Sequence, residues 1–140
     1  MKLDSKDKSI IEKLRENSRY SIRDIAKATK LRPSTVHQRL TKLIQNKVIE
    51  QFTIKLNNKS IDENFIVFML VETGETFPKN VFDNNHIKEV FGITGEYDLL
   101  LKMKFKDVEE FNRFIIKFRK EHNLKKTTTM VATADIKELI

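Results

Sequence analysis

The chain has 140 residues, 39% hydrophobic and 34% charged, enough for one domain or two small ones around a modest core. It has no Cys, which excludes disulfide frameworks and thiolate chemistry, and its longest strongly apolar run, Phe65 to Val71, falls far short of the roughly 20 residues of a membrane helix. The net charge of +7 is unevenly placed: 15 Lys and Arg stand against 6 Asp and Glu through Lys59, leaving 12 against 14 beyond it, the pattern of a polyanion-binding module joined to one with another task.

Met1 to Asp7 holds no apolar segment of signal-peptide type, so a cytoplasmic protein is expected. Asp4 with Asp7 reads as a capping box, and Leu3, Ile10, Ile11 and Leu14 follow on one helical stripe. Ser21 with Asp24 opens a second helix carrying Ile22, Ile25 and Ala26. Pro33 suits the first position of a third, where its missing N–H is no loss, and Val36, Leu40, Leu43 and Ile44 form its apolar stripe. The short interval between the second and third helices gives a helix-turn-helix plan over about residues 22–41.

At about 100° per residue, the side of the third helix opposite its stripe carries Ser34, Gln38, Thr41, Lys42 and Gln45, flanked by Thr35, His37 and Arg39. Amides pair with adenine, Arg and Lys with guanine or phosphate, and hydroxyls with either. From Lys30 to Lys47 there are five Lys and Arg and no Asp or Glu, whereas an ordinary solvated face mixes both signs. DNA contact is the expected role of this face.

Phe52, Ile54 and Leu56 then alternate with Gln51, Thr53 and Lys55, predicting a half-buried strand. Either a wing beside DNA or an arm pairing with a second subunit fits that pattern. The polar run from Leu56 to Asn64 reads as a loop or hinge, dividing the chain into a DNA-binding domain over 1–59 and a second domain over 60–140.

In the second domain, Phe65 to Val71 is apolar enough for a central strand covered on both faces. Val90 to Asp98 contains Gly92 and Gly95, and Leu99, Leu101, Met103 and Phe105 alternate with Leu100, Lys102, Lys104 and Lys106 as an amphipathic strand. Asp107 and Glu110 cap a helix with an inner stripe of Val108, Phe111, Phe114, Ile115 and Phe118, and Thr127 to Ala134 predicts a last strand. The fold class is therefore α+β: an N-terminal (winged) helix-turn-helix domain, then a ferredoxin-like αβ sandwich. A sheet face that so few helices leave uncovered predicts a partner subunit.

Catalytic chemistry is not expected. His37, His86 and His122 stand far apart, so no metal site is assigned. Gly92 and Gly95 match no phosphate-loop or dinucleotide fingerprint, so no cofactor is assigned, and no nucleophile stands in a recognisable context.

Leu3-Asp4, Asp7, Ile10-Ile11, Leu14, Arg19, Ser21, Ile25-Ala26, Leu31, Ser34, Val36, Arg39-Leu40, Leu43 and Val48-Ile49, followed by Thr94-Gly95-Glu96-Tyr97-Asp98-Leu99-Leu100-Leu101, resemble the Lrp/AsnC (leucine-responsive and asparagine regulator, feast/famine) transcription factors over nearly the whole chain. The resemblance implies a sequence-specific regulator that binds double-stranded DNA at pseudo-palindromic promoter sites, as a homodimer or higher even oligomer. It also implies contact with the basal transcription machinery and no membrane association. Carried over by position, base contacts fall to Ser34, Thr35, His37, Gln38, Arg39 and Lys42, with Arg32 facing phosphate at the helix start. An amino-acid effector would lie near Gly92, Thr94, Gly95, Tyr97 and Asp98. The alternative is an amino-acid or metabolite-sensing oligomer that binds nucleic acid only loosely.

Three departures set further expectations. The family usually places Gly where Lys30 and Lys47 stand; if those positions keep a positive φ, each lysine costs about 1 kcal/mol relative to Gly. Arg32 in the N-cap position gives up a capping bond. Gly74 to Glu89 leaves room for little more than two helical turns, and effector regulation is expected to be weak or absent, with DNA binding largely constitutive. Asp98 has two readings, a partner for a ligand ammonium or a brace bonded to nearby backbone.

Overall fold

The structure is a computed structural model that describes residues 1–73, 79–122, 124 and 126–138. It divides into two compact units, Met1–Lys55 and Leu56–Leu139. Among the described residues no helix is long and apolar enough to cross a membrane.

The first unit is built on three helices, α1 (Ser5–Glu16), α2 (Ile22–Thr29) and α3 (Pro33–Gln45). Their starts are locally encoded. Asp4 and Ser21 each accept from the backbone N–H of the third helical residue, and Asp7 and Asp24 reach back to the cap N–H, so both capping boxes are complete. Arg32 begins α3 with no side-chain cap, as expected, and Pro33 takes the first turn. Ile10, Leu14, Ile25, Ala26, Val36 and Leu43 bury together, with Leu3, Ile11, Ile22, Leu31 and Leu40 packed around them. Ile44 departs from the predicted stripe: it is 45% exposed, because its position one residue past Leu43 turns it off the buried face.

The strand predicted over residues 52–56 does not form. Residues 50–57 carry no regular structure, and Phe52, Ile54 and Leu56 are all exposed. Alternation fixes which side chains share a face, but a strand also needs a neighbour to take its hydrogen bonds. The Ser18 hydroxyl donates to Thr53 O at 3.4 Å, but among the described residues no strand pairs with this segment, so it forms no wing strand.

The second unit holds a 3-10 turn (Asn58–Ile61), then β1 (Phe65–Glu72), a second 3-10 turn (Lys79–Phe82), β2 (Ile87–Gly92), β3 (Leu99–Phe105), α4 (Val108–His122) and β4 (Lys126–Val131). The sheet is antiparallel in the order β2-β3-β1-β4, the strand arrangement of a ferredoxin-like fold. β2 ends at Gly92, the first glycine of the Val90 to Asp98 segment, and β4 ends at Val131 rather than Ala134. Of the segment expected to hold a shortened helix, residues 74–78 lie outside the described residues, and the remainder contains the second 3-10 turn and the start of β2.

One face of the sheet is a closed core. Val67, Met69 and Val71 from β1 and Leu101, Met103 and Phe105 from β3 pack with Phe111, Ile115 and Phe118 of α4. The other face is open in the middle. Phe68, Leu70 and Leu100 are half-buried and Phe91 and Met130 exposed, so β1 is sealed on one side rather than both.

The far end of the open face is charged and paired. Glu138 Oε1 lies 2.6 Å from Lys102 Nζ and 2.8 Å from Lys104 Nζ, while Asn58 donates to Glu138 Oε2. Burial works to raise the Glu138 pKa, but the hydrogen bonds from Lys102, Lys104 and Asn58 outweigh it and hold the carboxyl at about 2. A depressed carboxyl stabilises the fold at neutral pH, and this contribution fades only as pH falls from the ordinary 4.5 toward 2.

Candidate nucleic-acid interface

The chain direction reverses between α2 and α3 at Lys30, whose backbone is left-handed (φ 56, ψ 29) and whose N–H caps α2 at Ala26 O. Leu31 N–H then donates to the same carbonyl at 3.1 Å, and the half-buried Leu31 side chain packs on the core. This tight connection turns α3 so that Val36 and Leu43 bury and Ser34, His37, Gln38 and Lys42 stay exposed, with Arg32 exposed at the start and Thr35 half-buried on the flank. Thr41 is occupied with its own helix, donating to His37 O at 3.0 Å.

Arg39 is placed differently. Its Nη1 donates to Asp4 Oδ1 at 2.8 Å, Asp4 Oδ2 at 2.7 Å and Asp7 Oδ1 at 2.8 Å, linking α3 to the capping box of α1. Asp7 is the buried member, its side chain 4% exposed. The hydrogen bond from the Asp7 N–H, and then the Arg39 guanidinium, hold the Asp4 carboxyl below its usual range, while both carboxylates raise Arg39. The sequence shows an acid-free helix face, but one of its cations is matched by acids brought from 32 and 35 residues away. No periodicity signals that pairing. The one cue in the sequence is a pair of acids at a helix start, whose carboxylates keep acceptor capacity beyond the bonds of the capping box.

The residues singled out for an effector are divided among neighbours. Gly95 has φ 121, a conformation that favours glycine, whereas a methyl added at Gly92 would meet nothing within 4 Å. Asp98 Oδ2 accepts from Thr73 N–H at 2.8 Å and from Thr73 Oγ1 at 3.1 Å, and Asp98 N–H donates to Val71 O at 2.9 Å. Tyr97 OH lies 2.5 Å from Thr128 Oγ1, and Lys126 pairs with Glu96 while sitting 5.2 Å above the Tyr97 ring. Thr94 is exposed. The turn is thus braced to β1 through Asp98 and to β4 through Tyr97.

Two family models match, the AsnC-type helix-turn-helix domain over residues 3–44 and the Lrp/AsnC ligand binding domain over residues 66–139. The HTH-type transcriptional regulator FL11 of Pyrococcus furiosus is 33% identical over 141 residues, covering 97% of this chain and 93% of that protein. Among solved structures, B. subtilis LrpC superposes with a TM-score of 0.87 at 26% identity, over 98% of this chain and 99% of its own. The regulator NMB0573 of Neisseria meningitidis, solved with L-Met, gives 0.86 at 23% identity, over 99% and 94%, a likeness of fold.

Proposed function

Because the chain belongs to the Lrp/AsnC family of DNA-binding transcriptional regulators, which are not enzymes, we propose that it binds pseudo-palindromic promoter sites as a homodimer, with α3 in the major groove. The observation that carries this reading is the outer face of α3, where Ser34, His37, Gln38 and Lys42 are exposed together without a carboxylate among them. Thr35 on the flank and Arg32 at the helix start complete the contact set. Arg39 joins it as a positioning residue, since its Nη1 already serves Asp4 and Asp7. The regulator works in the cytoplasm, where its DNA is.

Selection of genomic fragments by the purified protein tests the whole reading. A shared inverted repeat is expected, and fragments with no common motif would overturn it. Within that site, Gln38→Ala should relax preference at one base pair, by about 1–3 kcal/mol, while Lys42→Ala weakens all sequences alike. An unchanged base preference in the Gln38 variant removes that residue from the readout.

The half-open sheet face supports the dimer. Phe68, Leu70, Leu100, Phe91 and Met130 form an apolar patch that a second copy would bury. Phe52, Ile54 and Leu56 support the same assembly, since a pairing arm would bury the row that one chain leaves exposed.

Regulation by free amino acids is proposed to be weak or absent. The Neisseria protein was solved with L-Met, but here the Asp98 carboxylate, the acid best suited to an ammonium group, holds Thr73. Titration calorimetry with the twenty amino acids should show no tight binding. Tight binding that vanishes in Asp98→Ala, with the fold intact, would overturn this and favour a metabolite-sensing oligomer.

A further inference from the structure

The first unit accepts unfavourable backbone geometry at two lysines. Lys30 (φ 56) closes α2 immediately before α3, and Lys47 (φ 54) follows the C-cap of α3, its N–H donating to Ile44 O at 3.0 Å. Glycine is the residue that occupies such positions without steric cost, and Asn or Asp compensates by local hydrogen bonding. The other non-glycine residue at positive φ among the described residues is an aspartate, Asp62. Lysine has neither advantage. Both side chains are exposed, and among the described residues neither forms an ion pair.

Their placement gives the strain a use. The thirteen residues of α3 span about 20 Å, whereas the major groove is about 12 Å wide. A helix of that length lying in the groove brings its two ends toward the phosphate backbones that border it. Lys30 stands at one end and Lys47 at the other. A lysine is a compact point charge on a flexible stem, able to meet phosphate without fixed bidentate geometry.

We propose that Lys30 and Lys47 are a pair of phosphate contacts, one at each end of α3, that clamp it across the major groove. This rests on α3 being the element that enters DNA. The clamp carries no sequence information: it sets register and adds salt-dependent affinity, while Gln38 and its neighbours read bases. The competing account is local, a cation beside the negative end of each preceding helix.

The test uses full-length K30G, K47G and the double variant, because glycine keeps the backbone conformation while removing the charge. Affinity for a selected site and for unrelated DNA is measured from 50 to 200 mM salt, beside thermal melting. The proposal expects each glycine to reduce the slope of log affinity against log salt by about 0.9, which is roughly a factor of 3 to 4 across that range. Both DNAs should lose affinity alike, melting should not fall, and K30R and K47R should restore the slope. A lower melting temperature with unchanged slopes would overturn the clamp in favour of helix capping. A change in base preference would overturn it in favour of direct readout. A wild-type slope near zero would overturn DNA binding by this face and the clamp with it, which separates the two failures.

Discussion

Phe105→Ala should destabilise the second unit by about 3–5 kcal/mol, the largest loss expected from any single truncation in the chain. Phe105 is fully buried at the end of β3, in contact with three other rings. His86 stacks on it at 4.6 Å between centroids, Phe111 meets it edge-on at 5.3 Å and Phe114 lies at 5.2 Å. Removing the ring leaves a cavity between His86, just before β2, and Phe111 and Phe114 on α4, which rigid rings cannot close by collapse. Denaturant unfolding followed by far-UV circular dichroism measures the effect, and a loss below about 1 kcal/mol would show that Phe105 does not organise this core.

Leu100→Glu addresses assembly rather than folding. Leu100 sits opposite Leu70 on the open face of the sheet and is only half-buried, so a carboxylate there is tolerated by the single chain. In a two-fold dimer each substitution appears twice on one interface, and like charges in apolar surroundings cost several kcal/mol. The dimer dissociation constant should rise by about 100-fold or more, and affinity for an inverted repeat should fall with it. Sedimentation equilibrium checks this. A variant that stays dimeric with an unchanged constant would mean that copies meet elsewhere.

What the residues revealed in advance was local. Caps at Asp4 and Ser21, Pro33 at a helix start and the apolar stripes act within a turn or two of chain, so three helices were legible, whereas the left-handed backbone at Lys30 and Lys47 was suggested only by the glycines of the resembled family. The irregular course of residues 50–57 was not legible, because alternation is a local pattern while a strand needs a paired neighbour, and among the described residues no strand pairs with this segment. Arg39 shows the same division between local pattern and tertiary partner. Its outward position on α3 is a helical fact, but its pairing with Asp4 and Asp7 is tertiary. Asp98 left two readings open, and the bond that bears on them comes from Thr73, 25 residues earlier. Periodicity gave the outward face of α3 and the resemblance named the candidate base contacts on it, which are exposed except for half-buried Thr35 and Arg39.

The Glu138 carboxylate has a consequence for symmetry. A surface that mates with its own copy must be compatible with itself, so any net charge it carries is presented to the same charge on the other side. Lys102 and Lys104 both rise from β3 on the open face and would oppose their own duplicates. Glu138 binds both lysines, and Glu89 binds Lys102 at 2.8 Å, so two cations stand with two anions. The C-terminal segment therefore acts as a built-in counterion. In the proposed dimer, a chain shortened by a few residues would keep its core, but its sheet would repel that of the second copy.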